Sequence, residues 1–219
     1  MNIRFSVLAV AALMASSAHA NLIANGSLES GAFVNQGSDT MSLLAGSTVI
    51  TGWTVVTDTT AWIGATNPFG LSASDGSFFL DLTNYQPGAP FAGMSQTIAT
   101  TVGATYSLSF DLGSSTFWGR PDSITASAAS TSQTFTAPLT GGNNDWQSVS
   151  MLFLATSAST TVLLQGASGI NYIGLDNVDV EFVSGPGPGP GPGRVPEPTT
   201  LALLGLGLAG LGASRRRRH

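Results

Sequence analysis

Phe117, Trp118, Arg120 and Asp122 fall together in the stretch STFWGRPDS, which places two aromatic faces, a cation and an acid in one Gly- and Pro-punctuated loop. A flat ring suits the apolar C–H face of a sugar, and a carboxylate accepts hydrogen bonds from hydroxyls. The loop is therefore a candidate grip for an acidic or neutral glycan. It has a second reading, in which Trp118 covers one end of the fold and Arg120 pairs with Asp122. The remaining tryptophans are Trp53, Trp62 and Trp146; Trp53 and Trp146 lie inside strand-like patterns and read as core. Nucleophilic catalysis lacks its parts. Between Asn21 and Ser184 there is no His, Lys or Cys, so no Ser-His or Cys-His pair can form. Among the acids, no spacing singles out two that would hydrolyse a glycoside.

The electrostatics narrow the choice of partner. From Asn21 to Ser184 one cation, Arg120, stands against eleven acids, a net charge of −10. Nucleic acid is excluded as a partner, because neutralising phosphates requires Lys and Arg in number. Only 9% of the 219 residues are charged, and Ser, Thr, Gly and Asn supply most of the polar surface. Without cysteine, an exported domain is held by core packing, with or without a metal, and not by disulfides.

The two ends read as addresses. Residues 1–20 run from Arg4 through an apolar stretch to Ala18-His19-Ala20, the order of a secretory signal peptide cleaved after Ala20. At the other end, Thr199 to Ala213 is uncharged and spans about 22 Å as a helix, short of the roughly 30 Å bilayer core. Pro196 and Pro198 stop this short transmembrane helix on one side. On the other, Arg215, Arg216, Arg217 and Arg218 stay cytoplasmic. A Pro/Gly linker at 185–194 holds the domain away from it.

The elements that position the candidate site are strands. From 21 to 184, short β-branched and aromatic runs alternate with Gly, Asn, Asp, Pro and Ser: TVITGWTVV, GSFFLDLTN, GMSQTIAT, ATYSLSFDLG, WQSVSMLFLAT, TTVLLQG and YIGLDNVDVEFV. Tyr106, Leu108, Phe110 and Leu112 alternate with Ser107, Ser109 and Asp111, giving one dry and one wet face. In the last run the apolar parity switches across Asp176 and Asn177, which predicts a bulge. No helix is predicted here. Seven to ten strands of this kind make an all-β, antiparallel β-sandwich of the jelly-roll type.

The tail, Val195-Pro196-Glu197-Pro198 followed by a Leu/Gly span and an Arg cluster over 195–219, resembles the PEP-CTERM sorting signal of Gram-negative bacteria. The resemblance implies recognition in the inner membrane by an exosortase, removal of the tail near Pro-Glu-Pro, and a biofilm-forming, exopolysaccharide-producing envelope. The protein would be anchored transiently, then reside at the cell surface, in the periplasm or in the matrix. A plain tail anchor is the alternative. The exported part, with NLIANGSLES, ITGWTVV, DGSFFLDL, MSQTIATTVGATYSLSFDLG and IGLDNVDVEF in order, resembles the galactose-binding-like β-sandwiches of DUF642-type and choice-of-anchor proteins.

That second resemblance implies a structural calcium held by the acid of Asn-Gly-x-x-Glu and the aspartate of Leu-Asp-Asn-Val, here Glu29 and Asp176. Several oxygens from carboxylates and loop carbonyls suit this hard cation. Alternatively both are ordinary turn residues, with Asn25-Gly26 forming a tight turn. The function expected is a non-enzymatic envelope or matrix protein that binds exopolysaccharide or another glycan. Its alternatives are a secreted glycoside-acting enzyme and a purely architectural surface protein.

Overall fold

Alternating side chains set the architecture. In the computed structural model, residues 21–118, 121–137 and 144–186 are described. The segment 1–20 predicted as a signal peptide, Arg120, the predicted linker from 187 onward and the sorting segment with Pro196, Glu197, Pro198 and Arg215 to Arg218 lie outside the described residues.

Among the described residues, eleven strands form two antiparallel sheets. They are β1 (Thr40–Leu43), β2 (Thr54–Val56), β3 (Thr60–Ile63), β4 (Phe79–Asp81), β5 (Gly93–Ala99), β6 (Thr105–Ser114), β7 (Ser123–Ala128), β8 (Thr131–Thr136), β9 (Asp145–Leu154), β10 (Ser159–Ser168) and β11 (Gly174–Ser184). One sheet has the order β1-β3-β4-β11-β6-β9, the other β2-β5-β10-β7-β8. The antiparallel sandwich predicted from the alternation is what forms, and no helix occurs among the described residues. The seven runs read as strands correspond to β2, β4, β5, β6, β9, β10 and β11.

Between the sheets lies the main core. Tyr106, Leu108, Phe110 and Leu112 of β6 are all buried, facing Val162 and Leu164 of β10 and Ile124 and Ala126 of β7 across the sandwich. Tyr106 stacks on Phe153, and Phe110 meets Phe135 of the opposite sheet edge-on at 5.6 Å. Trp53 and Trp62 are buried and donate their indole N–H groups to the carbonyls of Asn25 and Leu28.

The predicted bulge is present. The β6–β11 register shifts between Asp176 and Asp179, with Asn177 at φ 48°, so Leu175, Val178 and Val180 all point inward. The bulge also receives the N-terminal turn, since Val178 N donates to Gly26 O at 2.9 Å. A Cβ at Gly26 would lie 1.9 Å from the Val178 carbonyl oxygen, so only glycine fits there. Asn25 closes this turn, at φ 56°, by accepting from Ser30 N.

A second layer lies on the outer face of the six-stranded sheet. Ala61 and Ile63 of β3 and Phe79 of β4 alternate with Trp62 and Leu80, so they point away from the main core. Residues 64–78 fold back over them, and Leu71 and Tyr172 complete a small buried cluster flanked by Phe69, Tyr85 and Trp146.

Candidate functional site

The cleft opens beside this second layer. It is about 430 Å³ and is lined by Phe69, Leu71, Asp81, Tyr85, Trp118, Asn171 and Tyr172. Four aromatic rings thus surround one carboxylate and one amide. Phe69 tilts against Tyr85 at 5.5 Å and meets Trp118 edge-on at 5.9 Å. The Trp118 indole N–H donates to Phe69 O at 3.1 Å, which fixes the ring, while 39% of the residue stays exposed. This geometry leaves an apolar ring accessible at the mouth of a preformed cleft.

Asp81 sits at the floor and is fully buried. Its Oδ1 accepts from Thr83 N at 2.9 Å and Ile173 N at 3.0 Å, and its Oδ2 from Tyr85 N at 3.1 Å. The carboxylate thereby ties together β4, the turn after it and the approach to β11. Burial raises its pKa to about 6 against those hydrogen bonds. Burial likewise pushes the Tyr85 phenol up to about 12, with Asp81 adding to it. For Tyr172, burial and then the charges of Asp81, Asp122 and Asp176 hold the phenol well above its ordinary range. Its hydroxyl lies against Gly113 and Gly174, a cross-strand pair where any Cβ would collide with it.

The loop that carries Phe69 and Leu71 is anchored along its length by side chains from the sheet strands and from neighbouring turns. Thr66 N and Oγ1 donate to Asp39 Oδ2, both at 2.8 Å. Ser72 O accepts from the Trp146 indole and from Asn144 Nδ2, both at 2.9 Å. Asp176 Oδ2 accepts from Ser74 N at 2.8 Å and Asp75 N at 2.9 Å, and the Ser74 hydroxyl donates to Asp111, the residue opposite Asp176 in the β6–β11 register. Glu29 Oε1 accepts from Ser77 N at 2.8 Å and Phe78 N at 2.6 Å.

Glu29 and Asp176, paired in the sequence reading, therefore meet the same turn, Ser74 to Phe78, from its two ends. Neither lines the cleft. Burial raises the Asp176 pKa to about 7, with Asp75 adding to it and three N–H donors opposing. Among the described residues, no group of three or more His, Cys, Asp or Glu side chains could hold a metal ion. A cation at this turn would have the Glu29 and Asp176 carboxylates as oxygen donors, the ligand type calcium takes.

Of the sequence-predicted glycan residues, Trp118 lines the cleft. Phe117 stands outside the lining and is 75% exposed. Asp122 departs from the expectation of a solvent-facing acceptor. It is fully buried, because it leads directly into β7 and its carbonyl accepts from Ala137 N at 2.8 Å. The sequence reading missed Phe69, Leu71, Asp81, Tyr85, Asn171 and Tyr172 as cleft residues. The one available signal was the density of aromatics around turns in NPFGLS, LTNYQPG and INY, since ring-bearing turns seldom point wholly into solvent.

Several solved structures are similar to this chain. TmCBM61 in complex with beta-1,4-galactotriose is 14% identical, with 75% of this chain and 99% of that one covered at a TM-score of 0.46. A Family 16 Carbohydrate Binding Module-2 is 19% identical, with 73% and 99% covered at 0.39. A family 35 carbohydrate binding module from an environmental isolate is 15% identical, with 54% and 85% covered at 0.40. No curated protein matches the sequence. Residues 194–218 match the PEP-CTERM protein-sorting motif, which implies an exported protein with a C-terminal sorting tail. Residues 21–171 match the family described as Protein of unknown function (DUF642), and the chain belongs to that family.

Proposed function

We propose that this is a non-enzymatic envelope or matrix protein that binds carbohydrate in the outer-face cleft and loses its tail to an exosortase. The observation that carries the reading is the part-exposed Trp118 ring, locked by its bond to Phe69 O above a cleft with three further aromatic walls. Sugar rings stack their C–H faces on such surfaces, while Asn171 offers both a donor and an acceptor to hydroxyls. Asp81 is the only acid among the described lining residues, and its oxygens are engaged by Thr83, Tyr85 and Ile173. Among the described lining residues the cleft offers ring surface and hydrogen bonds, and no second carboxyl group faces Asp81.

A structural calcium at the Ser74–Phe78 turn, held by Glu29 and Asp176, belongs to the same proposal. Its part would be to stiffen the loop that carries Phe69 and Leu71. A glycan array probed with the full-length protein and with Trp118→Ala tests the binding: the wild type retains at least one glycan and the variant loses it. Retention of no glycan would leave the architectural reading in its place. Replacing Pro196-Glu197-Pro198 with alanines should leave export intact but block tail removal, as read by mass spectrometry of the surface-released protein.

A further inference from the structure

We propose that the cleft selects neutral glycan chains and rejects chains bearing uronate or sulfate groups. The inference rests on the carbohydrate reading of the cleft and adds the class of its ligand. None of the described lining residues is a cation: four aromatic rings, Leu71, Asn171 and the Asp81 carboxylate make the wall. Ring faces carry the negative lobe of the aromatic quadrupole and so favour C–H groups over anions. An anionic sugar entering here would give up its hydration without gaining a counter-charge from any described lining residue.

The surroundings reinforce the wall. Asp81 lies at the floor, and the Tyr172 phenol feels negative charge from Asp81, Asp122 and Asp176 in addition to its burial. Beyond the cleft, eleven acids oppose a single cation between Asn21 and Ser184, so the domain's field repels polyanions at a distance. A neutral chain meets none of these costs. Its hydroxyls find the Asn171 amide, and its C–H faces find Trp118, Phe69 and Tyr85.

Affinity electrophoresis of the full-length protein through neutral galactan or glucan and through polygalacturonate or alginate, at low and high salt, tests the inference. The expected result is retardation by a neutral polymer that Trp118→Ala abolishes. The uronate polymers should bind at least about tenfold more weakly at low salt, with the gap narrowing as salt screens the repulsion. A uronate polymer bound as tightly as the best neutral one, and lost in Trp118→Ala, would overturn the neutral selection while leaving the cleft as the binding site. Binding of neither class, or binding indifferent to Trp118, would overturn the carbohydrate reading and the selection with it.

Discussion

The main core between the sheets and the small cluster beneath residues 64–78 differ in what holds them. The first is closed on both sides by strands, with Leu108, Phe110, Leu112, Val162 and Leu164 all at 0% exposure. The second is closed by a loop held down by Trp146 and Asp176 of the sheet and by Asp39 and Glu29 of adjoining turns. Packing alone suffices for the inner region. The outer one spends carboxylates on a loop's N–H groups, and in return it gains an irregular surface into which a cleft can be cut.

The largest contrast is expected from paired truncations. Leu164→Ala, deep between the sheets, should destabilise by about 3–5 kcal/mol, because strands on both sides cannot collapse into the space. Leu71→Ala should cost about 2 kcal/mol, since the loop above it can settle, yet it should weaken glycan binding more than Leu164→Ala does. Denaturant titration and calorimetric binding on the two variants would show whether stability and binding separate in this way.

Chelation comes next. A calcium bound only to the folded protein stabilises it by about 2.7 kcal/mol at a hundredfold excess over Kd. EDTA should therefore lower the melting temperature by several degrees, and Glu29→Gln or Asp176→Asn should remove that response. An unmoved melting curve, with no ion found by elemental analysis, would leave the N–H bonds as the turn's whole anchorage.

A further effect is expected from pH. The folded-state pKa values of Asp176, about 7, and Asp81, about 6, lie above the ordinary 3.8, so between roughly pH 4 and 7 the folded state binds more protons than the unfolded one. In the chelated protein these two groups should make stability fall as pH rises through that window. Urea midpoints at pH 5 and pH 8 would report it, and Asp176→Asn should flatten the slope.

The same contrast explains what the sequence disclosed. Alternation in β6 and the parity switch at Asp176 and Asn177 were legible because both report on a single face of a strand, the face packed between the sheets. The β7–β8 hairpin was not, for its inward residues are mostly small, Ala126 and Ala128 beside Ile124, and its outward ones pair as Thr125–Thr134 and Ser127–Ser132. Short strands β1 and β3 escaped for a related reason: β3 is buried on both faces, so Thr60 to Ile63 show no alternation. The candidate site was legible only at Trp118. Periodicity cannot reveal that NPFGLSASDGS folds back on the sheet, because that depends on hydrogen bonds from residues distant in sequence, such as Asp176 to Ser74. Glu29 and Asp176 were recognised as a pair, and the turn they share emerges only from the fold.

Hydrogen–deuterium exchange on the full-length protein, with and without a glycan retained on the array, tests the central claim most directly. Binding in the outer-face cleft predicts slowed exchange in the segments carrying Phe69 to Leu71, Tyr85 and Asn171 to Tyr172, with β7 and β8 unchanged. Protection confined to β7 and β8, with the 64–78 loop exchanging as before, would contradict it.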